Sequence, residues 1–548
     1  MASAVHDPET SSLSLRVSVR DLTFCLPPFA FFVNFVVNYA WAALIDLQGG
    51  RVPGRIRVAL NAALSGQCSS VVIEIAPVPG PHGSWNTLNH RDTCSNKSEV
   101  CSLCWRDSGR ADQISTGSTR RESNMSLPAS AIRWSRLLTV GMSALIAVLA
   151  ARVDAEEVAS AGALARLRAD LSAKTPTEIL ASDDAAVALT RDDAAAARKA
   201  IYQDHVSRIR KEREQELAAG QLTEGDLTMP FVIREFGKPP EAGHSIWISL
   251  HGGGGAPKAM NDGQWENQKR LYTLEEGLYV VPRAPTNTWN LWHEAHIDRL
   301  FARLIQDLVI AKGADPDRVY VMGYSAGGDG VYQLAPRMAD SWAAAAMMAG
   351  HPNDASPLGL RNVPFALQVG ANDAAYNRNK VAAEWGTKLD ELRKADPDGY
   401  EHFVKIHEGR GHWMNLQDAA ALPWMAKHRR NPTPKRVVWK QSPVTHDSFY
   451  WLAVPDGSAK PGAMVAATIN GQSIEISESS DIDKLLIRLD DRVLDLDQPV
   501  SVLHKGKKLF EGLVQRTIKT LLRTLTDRGD ERLMFDGEIE VDLKDAAP

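Results

Sequence analysis

A serine, an aspartate and a histidine follow one another along this chain, each just beyond the end of an apolar stretch. Val319 to Tyr324 is apolar and runs through Gly323-Tyr324-Ser325-Ala326-Gly327 into an Ala/Gly/Val pattern of helical character. A serine on a tight bend between strand and helix has its hydroxyl at the helix N-terminus, and small neighbours let the backbone close around it. Ser325 is the expected nucleophile. Upstream, Ser245 to Leu250 reads as a buried strand ending in His251-Gly252-Gly253-Gly254-Gly255. Glycines leave backbone N–H groups uncrowded, so such a run can point donors at a developing oxyanion. The expected donors are the N–H of Ala326 and that of Gly253 or Gly254.

An activated serine needs a base, and the base needs an orienting acid. Phe365 to Gly370 delivers the chain to Asp373, the expected acid; Asp354 competes, while Asp329 sits too near the nucleophile on its helix. Phe403 to His407 leads into Glu408-Gly409-Arg410-Gly411-His412-Trp413, where two glycines free the loop to bring an imidazole back over the sheet. His412 is the expected base, with His407 the alternative at the strand end. Trp289, Trp292 and Trp413 are expected near the C-terminal ends of the strands, as an aromatic wall for a sugar or phenolic group or as packing residues. His293 and His296 are spaced as an i, i+3 pair but lack a third ligand, so no metal and no cofactor is expected.

The segments His251 to Gly255, Asp315-Pro316-Asp317-Arg318-Val319-Tyr320 and Gly323 to Gly328 carry a resemblance. The stretch from about Met229 to Arg430 resembles the α/β-hydrolase superfamily, most closely secreted serine esterases of the polyhydroxybutyrate depolymerase, feruloyl esterase and dienelactone hydrolase type. The resemblance implies the triad order Ser, Asp, His and cleavage of small-molecule or polymeric carboxylic esters through an acyl-enzyme. Serine peptidases of the prolyl oligopeptidase type share that order. An inactive hydrolase scaffold acting as a binding protein is disfavoured, because every expected catalytic position is filled.

Positioning these residues requires an α/β fold with a mostly parallel sheet. Strand-like segments are Phe231 to Phe236, Ile246 to His251, Leu278 to Val281, Val319 to Gly323, Ala343 to Ala349, Phe365 to Val369 and Phe403 to His407. Between them Ile297, Leu300, Phe301, Leu304, Ile305, Leu308 and Val309 form a helical stripe with one buried face. Helices alternating with strands argue for a sheet covered on both sides. The expected organisation is a helical lead-in over 156–225, a catalytic domain over 226–430, a stiff Asn-Pro-Thr-Pro linker over 431–435 and a β-rich accessory domain over 436–548. In the lead-in, Thr190 opens a long helix ending near Gly220. In the accessory region Met464 to Ile469 and Ser473 to Ser477 flank Asn470-Gly471, a hairpin signal, and Ile518, Leu521, Leu522 and Leu525 mark one helix.

At 548 residues two or three domains are expected. The net charge of −5 comes without a basic stripe, so nothing points to a nucleic-acid partner. All five cysteines precede residue 125. Cys101-x-x-Cys104 with Cys94 and His90 lacks the second matched pair that a zinc site needs. From Met125 the chain shows basic Arg133 and Arg136, the apolar run Leu137 to Ala150, and a small-x-small site at Val153-Asp154-Ala155. That is a secretory signal over 125–155 with cleavage near Ala155, an exported mature protein without stable membrane insertion, and 1–124 as poorly structured upstream sequence. The rival is a first membrane segment over Phe29 to Ile45, interrupted by Asn34 and Asn38. Nothing in the sequence fixes the oligomeric state.

Overall fold

The structure, a computed structural model, describes residues 56–64, 67–75 and 155–544. They fall in two units, Met1–Ser123 and Asn124–Pro548. Of the first, the described part is an antiparallel pair that the sequence did not lead us to expect, Ile56–Leu64 (β1) and Gln67–Ile75 (β2). The apolar run of the expected leader, the Phe29 to Ile45 stretch, and Cys94, Cys101, Cys104 and His90 lie outside the described residues. Among the described residues no helix is long and apolar enough to cross a membrane.

The second unit is built on an eight-stranded sheet. Its strands are β3 (Gln221–Glu224), β4 (Leu227–Phe236), β5 (Ile246–Leu250), β6 (Gly277–Pro282), β7 (Val319–Tyr324), β8 (Ala344–Met348), β9 (Phe365–Gly370) and β10 (His402–His407). Their order is β10-β9-β8-β7-β5-β6-β4-β3, parallel from β10 to β6 and antiparallel at β4 and β3. Every residue of β5 to β9 is buried, as expected of parallel strands covered on both faces. The Ala-Ala-Ala-Met-Met strand β8 is weak by propensity. The nucleophile's helix lies close over it, a Cβ on Gly328 falling 2.6 Å from the Met348 carbonyl oxygen, a case of context outweighing propensity.

The helices that matter here are α1 (155–171), α2 (Arg191–Ala219), α3 (Lys258–Leu271), α4 (Ala295–Lys312), α5 (Ala326–Arg337), α6 (Arg378–Ala395) and α7 (Ile518–Arg528). The hydroxyl of Thr190 accepts the N–H of Asp193 to cap α2, acids fill its first turn, and Gly220 ends it at φ 63°. The stripe on α4 buries Ile297, Leu300, Phe301, Leu304 and Leu308 against the sheet.

After residue 435 the chain forms two more sheets. One has the order β11 (Arg436–Lys440), β14 (Met464–Asn470), β15 (Ser473–Ser480), β17 (Val500–His504), β18 (Lys507–Gly512). The other has β12 (Ser448–Phe449), β13 (Leu452–Ala453), β16 (Lys484–Leu489), β19 (Gly537–Asp542). In the β14–β15 hairpin Asn470 pairs with Ser473, so the two-residue loop is Gly471-Gln472, one position later than the Asn-Gly signal suggests; Gly471 takes φ 59° there.

The lead-in, the central layer and the region after residue 435 are packed together. Within residues 431–435 Pro434 is buried, and its carbonyl accepts the indole N–H of Trp451 at 2.7 Å. On either side the cores merge, Leu360 and Phe365 joining Val437, Trp439 and Trp451 in one apolar cluster. Arg430, 3% exposed, binds Asp317 at 3.0 Å and Asp530 at 2.6 Å. The helical lead-in, in turn, packs as much on the C-terminal region as on the central layer. Leu164, Leu167, Ala197 and Ile201 share a core with Ile518, Leu521, Leu522 and Leu525 of α7, while Arg213 of α2 reaches Asp307 of α4 at 3.3 Å.

Candidate active site

Ser325 stands between β7 and α5 at φ 58°, ψ −122°, a conformation that costs a non-glycine residue of order 1–3 kcal/mol. The bend is held by its neighbours. The N–H of Ser325 donates to the Met348 carbonyl at 2.9 Å, and its own carbonyl accepts from Asp329 at 3.0 Å. A Cβ on Gly323 would lie 2.2 Å from the Gly327 carbonyl oxygen, and one on Gly327 would lie 2.2 Å from that of Leu250. The elbow therefore closes only around glycine.

His412 Nε2 lies 3.0 Å from Ser325 Oγ, and Nδ1 lies 2.8 Å from Asp373 Oδ2. With the proton on Nδ1 directed at the carboxylate, Nε2 is left as the acceptor facing the serine hydroxyl. Asp373 is 2% exposed, beyond the end of β9, and Arg378 Nη1 stands 3.8 Å from its other oxygen. The imidazole is open to solvent by 43%. Competing residues are engaged elsewhere. Asp354 accepts from Gln333 at 2.8 Å, Asp329 accepts the N–H of His351 at 2.6 Å, and the buried His407 pairs with Gln368 at 2.9 Å. Burial pushes the Asp329 carboxyl up and the His407 imidazole down.

The glycine run follows β5. His251 is fully buried; burial pushes its imidazole down to about 4, and the neutral ring donates from Nδ1 to the Gly252 carbonyl at 2.6 Å and accepts the Ala284 N–H on Nε2 at 3.2 Å. Gly253 and Gly254 have φ of 117° and 93°, open to glycine alone. Of the two loop donors considered, the N–H of Gly254 is taken by Asn261 Oδ1 at 3.0 Å. That of Gly253 has no partner among the described residues. Ala326 opens α5, so its N–H has no acceptor within the helix.

The three tryptophans part company. Trp292 is fully buried, its indole N–H donating to the His251 carbonyl at 2.9 Å, so it supports the glycine loop from below and forms no wall. Trp289 is 63% exposed with its backbone against Gly254 and Gly255, and Trp413 is 51% exposed beside His412. Tyr376, three residues after Asp373, is 76% exposed, with the Arg378 guanidinium 4.8 Å from its ring. His293 precedes α4 rather than lying on it; it is pushed down to about 4 by burial and sits edge-on to Trp289. Among the described residues no group of three side chains is placed to hold a metal ion.

Sequence reasoning missed Tyr324, Asn261 and Tyr376. Tyr324, the residue before the nucleophile, donates its hydroxyl to the His412 carbonyl at 2.6 Å and accepts the Met414 N–H at 3.1 Å. It ties the histidine loop to β7. Its place in the motif was visible; that its side chain crosses to a loop nearly ninety residues on was not.

No family model matches the chain, and no curated protein matches it. Among solved structures it is similar to a thermostable esterase, at 16% identity over 38% of this chain and 62% of that one, with a TM-score of 0.30. It thus spans about three fifths of that esterase. A ferulic acid esterase follows at 14% identity, 38% of this chain and 96% of the other, TM-score 0.27. An acetyl xylan esterase from Aspergillus awamori gives 13% identity, 37% and 97%, TM-score 0.27. The fold is α/β with a largely parallel central sheet.

Proposed function

We propose that the protein is a serine hydrolase that cleaves carboxylic esters through an acyl-enzyme. The observation that carries this reading is the chain of hydrogen bonds from Ser325 through His412 to Asp373, at 3.0 and 2.8 Å, with the serine in a strained elbow. In this mechanism His412 takes the hydroxyl proton as Ser325 attacks the acyl carbon, and Asp373 orients the ring and stabilises its charged form. The N–H groups of Ala326 and Gly253 stabilise the tetrahedral oxyanion. Proton return to the leaving alcohol gives the acyl-enzyme, and water activated by His412 hydrolyses it. No cofactor takes part.

The half-open imidazole, the exposed Trp289, Tyr376 and Trp413, and the short connection between β8 and β9 support an uncovered cleft suited to soluble or polymeric esters. Export through the leader over 125–155 belongs to the same proposal and stands on sequence alone; peptides from before Met125 in the native protein would contradict it.

A fluorophosphonate probe tests the chemistry. Labelling is expected at Ser325 and lost in His412→Ala, and Ser325→Ala should lower ester turnover on the order of 10⁶-fold. A well-folded chain that does not label would overturn the mechanism. Turnover of a peptide panel without ester preference would replace the esterase reading by a peptidase one.

A further inference from the structure

Asn261 is fully buried in the first turn of α3, and its whole amide is engaged. Oδ1 accepts the N–H of Gly254 at 3.0 Å. Nδ2 shares its hydrogens among the carbonyls of Ala256 at 3.1 Å and Gly254 at 3.3 Å and Asn287 Oδ1 at 3.1 Å. Asn287 is itself fixed by Arg283, which also binds Asp262 at 3.0 Å and the Thr286 carbonyl at 3.1 Å. A side chain that takes both the N–H and the C=O of one residue sets the peptide planes on both sides of it. Here that residue is Gly254, in the middle of the glycine run.

The opposite side of the run is fixed too. A Cβ on Gly252 would meet Ser325 Cβ at 3.2 Å, and one on Gly253 would fall 2.0 Å from Asn261 Oδ1. The loop is therefore clamped between the nucleophile and this asparagine, and position 253 is open to solvent. Four successive glycines left to themselves would sample many backbone states. A donor contributes fully to an oxyanion only when it is already aimed before the charge forms.

We infer that Asn261 is a positioning residue of the reaction proposed above: its amide sets the glycine loop so that the Gly253 N–H stands as the second oxyanion donor beside that of Ala326. The inference depends on the ester-hydrolase reading and adds to it the residue that builds the oxyanion hole.

The test is Asn261→Ala in the full chain, assayed with p-nitrophenyl acetate and a trifluoromethyl ketone, whose adduct on serine mimics the tetrahedral intermediate. The expected result is a kcat lowered by about tenfold or more, short of the 100- to 1000-fold that follows outright removal of a donor. KM should stay near the parent value, and affinity for the ketone should fall by the same factor as kcat/KM. A general packing defect would not divide the effect in this way. If the alanine variant does not fold, Asn287→Ala at an exposed position removes one acceptor of the clamp and should give a few-fold loss with the same division. A folded Asn261→Ala with parental kcat and ketone affinity, or a loss carried by KM alone, overturns the inference and leaves the esterase reading standing. A parent chain that neither turns over esters nor labels overturns both.

Discussion

On the oxyanion side of Ser325 the polypeptide is a run of four glycines with one exposed side chain, Trp289, against it, while the loops that carry the acid and the histidine bear several large exposed side chains. Gly252 and Gly254 are buried, and added Cβ atoms at 253 and 327 would strike Asn261 and the Leu250 carbonyl. On the loops that follow β9 and β10, Tyr376, Trp413 and Leu416 are 76%, 51% and 46% exposed. Tyr376, Asn377, Asn415 and Leu416 all hold positive φ without being glycine. The difference follows from what each side must do. Backbone donors can approach a reacting carbonyl closely only where no side chain intervenes, whereas a surface that receives the rest of a substrate needs side chains and tolerates their exchange.

Gly327→Ala should separate the two sides most sharply. Its methyl would lie 2.2 Å from the Leu250 carbonyl and 3.0 Å from that of His251, so α5 cannot seat on β5. We expect a loss of about 3 kcal/mol in denaturant unfolding, with turnover lost in parallel. An alanine variant as stable as the parent would break the comparison.

Acid should weaken the glycine side next. His251 is held neutral with its pKa pushed down to about 4, while the same ring in the unfolded chain takes a proton near 6.5. Above 6.5 this contribution is fully present. Between 6.5 and 4 the unfolded chain binds the extra proton and stability falls, by about 1.4 kcal/mol per pH unit for one such group. His205 and His293, pushed down to about 4 by burial, act in the same direction. Melting midpoints at pH 7.5 and 5.5 check this, and equal midpoints would contradict it.

Tyr324→Phe probes the polar tie that runs from the nucleophile's own strand to the histidine loop. Losing the bridge between the His412 carbonyl and the Met414 N–H should cost about 1 kcal/mol of stability and, by letting the imidazole drift, lower kcat by about tenfold with KM little changed. An unaltered kcat would reduce the tie to a structural bond. The smallest effect belongs to Gly411→Ala. An added Cβ there meets nothing within 4 Å and φ is not positive, in contrast to Gly409 at φ 69°. Stability should change by no more than about 0.5 kcal/mol and turnover should persist; a loss as large as that at Gly327 would erase the distinction between the two sides.

The sequence by itself determined the segments that form the central strands, the stripe on α4, the caps of α2 and the succession Ser325, Asp373, His412. Each of these is a local signal: a run of buried residues, a 3.6-residue period, a turn that only glycine can make. In a parallel sheet the loops that follow the strands gather at one edge, so local signals in the right order suffice to bring three distant side chains together. Only the tertiary structure decided that Trp292 packs under the glycine run, that Asn261 clamps it, that Tyr324 ties down the histidine loop and that the cores on either side of residues 431–435 merge. Those features are contacts between residues far apart in the chain. A buried indole or amide bonded to a remote carbonyl leaves no period and no turn in the sequence, and its partner is chosen by packing alone.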